Sequence, residues 1–134
     1  KIRGWNRTRL FDEYYQQWNL PSPNIPNLKT ALIYVGLCLL EGTNVSEGRG
    51  TNFPFKVFGA PWLDNKKLIS ALNKYNFKGV IFSSENFTPI DIKGKALNPK
   101  YENILCNGVR IKIINKSEIQ PFLIGTSIIY EIHK

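Results

Sequence analysis

Residues 55–82, FKVFGAPWLDNKKLISALNKYNFKGVIF, determine the fold that we expect for this chain. Residues 53–59 alternate enough to predict a strand, with Pro54 at its edge or beginning. Asp64 can cap a helix that Gly79 stops, and residues 80–82 then predict a short buried strand. The apolar residues of the helix recur with a 3.6-residue period: Leu68, Ile69, Leu72 and Tyr75. We therefore expect a strand, a helix and a strand joined as a right-handed parallel crossover.

A helix apolar on nearly all sides is predicted upstream, from Leu28 to about Leu40. Asn27 can cap its first turn, and Gly36 allows a neighbouring backbone to approach closely. This helix should lie at the centre of the domain.

Prolines at positions 21, 23 and 26 forbid regular structure before that helix, because proline fixes its own φ and restricts the preceding residue. Residues 20–27 are therefore predicted to form a rigid loop. Residues 8–18 place apolar side chains at i, i+4 and i+8 and predict a helix. Residues 1–5 are predicted to form a short strand.

Downstream, residues 105–114 alternate apolar and basic side chains, which predicts a strand with one buried face. Ser117 or Pro121 then opens a last helix that runs through Ile132. The whole pattern predicts one α/β domain over residues 1–134, with α+β as the alternative. Its sheet is expected to be mixed, with three or four strands, and packed by about four helices.

Composition excludes several classes of protein. With 43% hydrophobic and 21% charged residues, the chain has a folded rather than a disordered composition. Its longest apolar run, residues 31–40, is half of the ~20 residues that a membrane-spanning helix needs. The chain lacks methionine and a recognisable leader, so we expect a processed or excised piece. Two cysteines and one histidine predict neither a metal site nor a cofactor site.

The net charge of +8 permits an anionic partner. The basic residues are scattered, however, and lack the interleaved aromatic residues of a platform that stacks bases. We expect no nucleic-acid partner and no membrane span. The alternative, a binder of nucleic acid or anionic membrane, predicts steep salt dependence.

The motif loop, residues 41–51 (EGTNVSEGRGT), carries the densest polar chemistry. Its two carboxylates, Glu41 and Glu47, could serve as the pair that glycosidases require. The planar fork of Arg49 suits a substrate carboxylate or phosphate. Alternatively, the glycines only form turns and Arg49 neutralises one of the glutamates. The pattern of a phosphate-binding loop is absent.

Trp62 follows Pro61 and is the tryptophan best placed to offer a flat face to a sugar ring, although aromatic side chains more often belong to the core. Glu85 and Asn86 follow a predicted strand end, where α/β folds often bind ligands, or they form a solvated turn.

Four motifs resemble one bacterial family: PSPNIP at residues 21–26, YVG at 34–36, LEGTNVSEGRGT at 40–51, and FPF leading to GAPW at 53–62. Later segments, GVIF at 79–82, FTP at 87–89 and CNGV at 106–109, resemble it as well. The family is that of exo-lytic β-N-acetylmuramidases, long catalogued as a domain of unknown function, and the chain resembles its C-terminal half. Val35 replaces the proline of the family's Tyr-Pro-Gly.

The resemblance implies a hydrolase that releases N-acetylmuramic acid from the non-reducing end of peptidoglycan fragments, in cell-wall recycling or scavenging. It also implies a larger, Rossmann-like N-terminal domain that this chain lacks, with the substrate cleft between the two domains. An extracytoplasmic location is favoured, with cytoplasmic recycling as the alternative. A non-catalytic module that binds peptidoglycan or amino sugars is the alternative function.

The resemblance also implies a set of site residues. Glu41 and Glu47 are the catalytic candidates, although either carboxylate could instead orient Arg49. We expect Arg49 to bind the lactyl carboxylate that distinguishes muramic acid from N-acetylglucosamine. The other candidates for substrate binding, besides Arg49, are Ser22, Asn24, Ser46, Thr51 and Trp62.

Overall fold

In the part of the chain that the structure describes, three strands form one sheet, and the last of them in sequence lies in the middle. The computed structural model describes residues 3–14 and 17–134. The strands are β1 (Val57–Ala60), β2 (Val80–Ser84) and β3 (Asn107–Ile113), and the α-helices are α1 (Leu28–Leu37), α2 (Asn65–Asn73) and α3 (Pro121–His133). Two 3₁₀ helices, Phe11–Tyr14 and Cys38–Gly42, precede β1. These elements confirm a small α/β domain.

The sheet has the order β1-β3-β2, and both neighbouring pairs are antiparallel. Since each outer strand is antiparallel to β3, β1 and β2 run in the same direction and are connected through α2. The predicted strand, helix and strand are therefore present, but the first strand begins at Val57 rather than at residue 53, because residues 54–56 form a turn. The sheet is antiparallel rather than mixed because β3 lies between the two strands that the crossover connects, and periodicity alone does not reveal pairing partners.

The helices bury one face of this sheet. Along β3, Val109, Ile111 and Ile113 belong to the core, while Arg110 and Lys112 alternate with them on the opposite face. The predicted one-sided strand is therefore confirmed. The helices contribute further core residues: Ile33, Leu37, Leu68, Leu72, Ile124 and Ile128.

Helices α1 and α3 meet with almost no space between their backbones. A Cβ atom added at Gly36 would lie 1.8 Å from the carbonyl oxygen of Pro121. One added at Gly125 would lie 2.3 Å from the carbonyl oxygen of Gly36. The predicted close approach at Gly36 is confirmed, and α3 is the neighbour.

The predicted N-terminal caps of α1 and α2 agree with the structure, whereas both helices end earlier than predicted. The side chain of Asn27 accepts a hydrogen bond of 3.0 Å from the amide of Thr30, and Asp64 accepts one of 3.0 Å from Lys67. Helix α2 ends at Asn73, however, so Gly79, with a φ of +84°, does not stop it as predicted. Helix α1 ends at Leu37, and the 3₁₀ helix Cys38–Gly42 continues it.

The N-terminal predictions are wrong where the structure describes them. Of the helix expected over residues 8–18, only the 3₁₀ helix Phe11–Tyr14 forms, and residues 15 and 16 lie outside the described residues. Phe11 packs edge-on against Trp18, with 5.3 Å between the ring centroids, so the apolar stripe contacts itself rather than the core. The expected strand over residues 1–5 is a turn at residues 3 and 4, and residues 1 and 2 are not described.

The lengths of the helices can be compared with the expectation that the chain has no membrane span. Within residues 3–14 and 17–134, each helix is too short or too polar to cross a lipid bilayer.

Candidate functional site

The motif loop lies along the edge of β1 that β3 leaves free. Ser46 and Gly59 exchange two backbone hydrogen bonds, of 2.8 and 3.0 Å. The amide of Phe55 donates to the carbonyl of Glu47 at 2.8 Å. The loop is therefore fixed to the sheet like a short additional strand, and residues 45–48 are buried there.

Two glycines of the motif loop have a structural role. Gly48 and Gly50 adopt φ values of +81° and +79°, which other residues rarely adopt. A Cβ at Gly48 would lie 2.4 Å from the carbonyl oxygen of Val57, and one at Gly50 would lie 2.5 Å from that of Ile90. The interpretation that these glycines enable turns is therefore correct.

Glu47 is buried and forms an ion pair with Lys100. Its Oε2 lies 3.2 Å from Lys100 Nζ. The same ammonium group donates to the carbonyl oxygens of Leu40, Glu41 and Val45 at 2.8, 3.0 and 3.1 Å. Burying a charged group is costly unless it is paired and hydrogen-bonded, and this arrangement satisfies both partners. Lys100 therefore holds the first half of the motif loop in place.

The other two charged residues of the motif loop are accessible. The side chain of Glu41 is exposed near the end of the 3₁₀ helix Cys38–Gly42, and Arg49 is half-buried. Because Lys100 compensates Glu47, Arg49 is not needed to neutralise that carboxylate. The structure thus separates the two carboxylates into an accessible one and a buried, paired one, and their catalytic assignment stays a prediction.

Ser46 and Thr51 stabilise the turn of the motif loop. Ser46 Oγ accepts a hydrogen bond of 3.3 Å from the amide of Gly48. Thr51 Oγ1 donates to the carbonyl of Gly48 at 2.6 Å and accepts from the amide of Phe53 at 3.0 Å. In this structure, both hydroxyl groups make hydrogen bonds that fix the backbone.

Trp62 is connected to the motif loop through Tyr101. Its Nε1 donates to the hydroxyl of Tyr101 at 3.1 Å, and that hydroxyl donates to the carbonyl of Asn44 at 2.6 Å. The side chain is 51% exposed and lines a cavity of about 290 Å³ with Asn44 and His133. Trp62 therefore presents an open aromatic surface beside the motif loop.

The loop of residues 21–26 contributes a buried amide. Ser22 Oγ accepts from the amide of Asn24 at 3.3 Å, and Asn24 Nδ2 donates to the carbonyl of Lys95 at 2.7 Å. Among the described residues, no donor reaches the buried Oδ1 of Asn24.

Residues 87–101 connect these separate pieces. They supply the carbonyl of Lys95 to Asn24, the amide of Ile90 to the carbonyl of Gly50 at 3.0 Å, and the side chains of Lys100 and Tyr101. Neither Lys100 nor Tyr101 was among the site residues predicted from the sequence. No local pattern identifies their role, because their partners in the motif loop lie more than fifty residues away in sequence.

In the described part of the chain, no three His, Cys, Asp or Glu side chains come together as ligands of a metal ion would.

Comparisons with known proteins agree with the resemblance seen in the motifs. The family profile described as "Exo-beta-N-acetylmuramidase NamZ, C-terminal" matches residues 32–134. The peptidoglycan β-N-acetylmuramidase NamZ of Bacillus subtilis is 35% identical over 133 residues, which is 99% of this chain and 30% of that protein. The chain therefore spans less than a third of that relative's length.

A solved structure shows the same fold. A DUF1343 family protein from Bacteroides fragilis superposes with a TM-score of 0.83 at 26% identity, covering 96% of this chain and 32% of that one. The motifs, the family profile and the fold agree, and the chain belongs to the exo-β-N-acetylmuramidase NamZ family, where it corresponds to the C-terminal region.

Proposed function

We propose that the chain is the C-terminal part of a glycoside hydrolase that releases N-acetylmuramic acid from the non-reducing end of peptidoglycan fragments. The observation that carries this proposal is the 35% identity, over nearly the whole chain, to a peptidoglycan β-N-acetylmuramidase. The chain covers 30% of that relative, so the proposal assigns the rest of the catalytic apparatus to a larger domain outside these residues. The substrate implies an extracytoplasmic location, which cell fractionation tests.

In this proposal Arg49 recognises the substrate's distinguishing group. Muramic acid differs from glucosamine by a lactyl ether that ends in a carboxylate, and a guanidinium can bind a carboxylate through two parallel hydrogen bonds. Arg49 lies between two glycines whose conformations fix the backbone, and its side chain is only half-buried. A fixed backbone and an accessible side chain suit the recognition of a small anion.

The two carboxylates take different roles. Glu41 has the accessible side chain that a group touching a glycosidic oxygen or a water molecule requires. Glu47 is buried against Lys100 and acts as a positioning residue for the motif loop. We therefore assign the acid or base role within this chain to Glu41.

Hydrolysis of a chromogenic β-N-acetylmuramide tests the proposal, with the corresponding glucosaminide as the control substrate. The assay compares the chain alone with the protein encoded by the whole reading frame that contains it. Muramide-specific hydrolysis by the second protein supports the proposal, and its restriction to that protein supports a divided active site. Hydrolysis by neither protein, together with binding of peptidoglycan fragments, would instead identify a non-catalytic binding module.

A further inference from the structure

A second and larger cavity opens on the face of the sheet that carries Arg110 and Lys112. Its volume is about 480 Å³. It is lined by four basic side chains and one acidic side chain, which are Lys29, Lys56, Arg110, Lys112 and Glu85. We call this cavity the basic groove. None of these residues belongs to the candidate site described above.

Arg110 is held in a defined orientation within the basic groove. Its Nη1 lies 3.3 Å from Oε1 of Glu85, and its guanidinium carbon lies 3.3 Å from the centroid of the Phe53 ring. The guanidinium carries further N–H donors beyond the one that Nη1 directs to Glu85. An arginine fixed by an aromatic ring and a carboxylate loses little side-chain entropy when it binds an anion.

The four basic side chains of the basic groove carry more positive charge than the single carboxylate of Glu85 neutralises. Burial lowers the pKa of Lys56, and the charges of Arg110 and Lys29 lower it further. Burial also lowers the pKa of Arg110, an effect that Glu85 opposes. A bound anion would relieve this repulsion, whereas a neutral sugar would not.

The basic groove adjoins the motif loop. Phe53, which packs on Arg110, donates its amide to Thr51 Oγ1, and Thr51 Oγ1 donates to the carbonyl of Gly48. The wall of the basic groove and the turn that presents Arg49 therefore belong to one hydrogen-bonded unit. Phe53 thus connects the basic groove with the motif loop that carries Arg49.

We infer that the basic groove binds a second carboxylate of the same glycan, that of a muramic acid residue beyond the one released. This inference rests on the proposed function, because a peptide-free peptidoglycan strand carries one lactyl carboxylate in every disaccharide repeat. The exposed side chain of Ile81 also lines the basic groove and provides an apolar surface for a sugar ring. The protein would accordingly bind longer fragments more tightly than single residues.

Binding of defined glycans to the chain tests the inference. The probes are a peptide-free tetrasaccharide of alternating N-acetylglucosamine and N-acetylmuramic acid, the chitin tetrasaccharide of equal length without carboxylates, and free N-acetylmuramic acid. Amide shifts in an NMR titration locate each probe and give its Kd. We expect the alternating tetrasaccharide to bind most tightly and to shift amides of β2, β3 and Phe53.

Substitutions in the basic groove provide the decisive comparison. Arg110→Gln and Lys56→Gln should each weaken binding of the alternating tetrasaccharide roughly tenfold, as expected for the loss of one charge-assisted hydrogen bond. Lys66→Gln removes the same charge from an exposed position on α2 and should change the Kd by less than about twofold. If the amide spectrum of Arg110→Gln shows a disturbed fold, the affinity of Lys56→Gln alone tests the inference.

Three results would overturn the inference. The first is an equal loss of affinity in Lys66→Gln and in the basic-groove variants, and the second is equal affinity for the two tetrasaccharides. The third is displacement of the glycan from the basic groove by a short oligonucleotide that binds there more tightly. The proposed function has a separate readout, the hydrolysis of the chromogenic muramide by the protein of the whole reading frame. Muramide hydrolysis without tighter binding of longer glycans would therefore reject only the inference about the basic groove. Absence of hydrolysis would reject the proposed function.

Discussion

The side-chain nitrogen of Lys100 lies 3.2 Å from a carboxylate oxygen of Glu47, and both groups meet beneath the motif loop. The pair joins segments separated by 53 positions in sequence. Because the same nitrogen also donates to three backbone carbonyls, one side chain supports a loop that has no regular secondary structure after Gly42.

Replacing Lys100 by methionine should therefore destabilise the protein strongly. The buried carboxylate of Glu47 and three carbonyl groups would lose their donor, at a cost of about 2–4 kcal/mol. Urea denaturation measures this change in the free energy of unfolding. Lys93→Met, at an exposed position in the neighbouring segment, should change it by less than about 0.5 kcal/mol. Equal effects of the two substitutions would show that the ion pair does not support the loop.

The crossing of α1 and α3 leads to a second prediction. Alanine at Gly36 places a Cβ 1.8 Å from the carbonyl oxygen of Pro121, so α3 must move away from the core. The loss of packing should exceed the gain in helix propensity and lower stability by roughly 2 kcal/mol or more.

Gly42→Ala is the matched control for Gly36→Ala, because no described atom lies within 4 Å of the added Cβ. This change should be neutral or stabilising by up to about 1 kcal/mol. Thermal or urea unfolding of the two variants checks the difference, and a Gly36→Ala protein as stable as Gly42→Ala would contradict the close crossing.

Because the thiol of Cys106 is buried, we expect the protein to lose stability at alkaline pH. Burial raises the pKa of its thiol from 9.0 to about 11, so the unfolded chain releases this proton at a lower pH than the folded protein. The unfolded state then binds fewer protons, and the contribution of Cys106 falls as pH rises from 9.0 to about 11. The slope should reach at most about 1.4 kcal/mol per pH unit.

Cys106→Ala removes this contribution. The difference in stability between the unsubstituted protein and Cys106→Ala should therefore be constant below the pKa of the unfolded thiol and should shrink above it. Urea denaturation under reducing conditions at several pH values measures the difference. A constant difference throughout would mean that the thiol ionises equally well in the folded protein.

Arg49→Lys tests recognition of the lactyl carboxylate. Lysine retains the charge but loses the planar fork, so kcat/KM for the chromogenic muramide should fall roughly tenfold or more. The value for the glucosaminide should change by less than about twofold, since that sugar lacks the carboxylate. The assay uses the protein of the whole reading frame, with Arg3→Lys, at an exposed position, as the control. Equal losses on both substrates would remove the proposed role of Arg49.

The sequence predicted those parts of the fold that depend on neighbouring residues. The caps at Asn27 and Asp64 and the one-sided burial of β3 follow from local patterns and are all present. The predicted stop of α2 at Gly79 is wrong, because the helix already ends at Asn73. The order of the strands depends on which segments pair across the sheet, and alternation within a strand carries no such information. The apolar stripe of residues 8–18 was misleading because its side chains contact one another instead of the core.

The candidate site was predictable to a similar extent. The motif loop stands out because polar side chains and glycines crowd into eleven positions after an apolar helix. Lys100 and Tyr101 could not be found in this way, since their importance arises only when residues 87–101 fold against that loop. The basic groove likewise combines residues from α1, β2, β3 and the segment before β1, and no two of its lysines or arginines are adjacent in sequence.

The central position of β3 has a consequence for biosynthesis. When β1, α2 and β2 have left the ribosome, the strand that pairs with both is still within or behind the exit tunnel. The two earlier strands therefore wait with unpaired edges until residues 107–113 emerge, and α3 must follow to cover α1. The sheet is thus expected to form only after β3 has been synthesised, and a chain truncated before β3 would have no sheet.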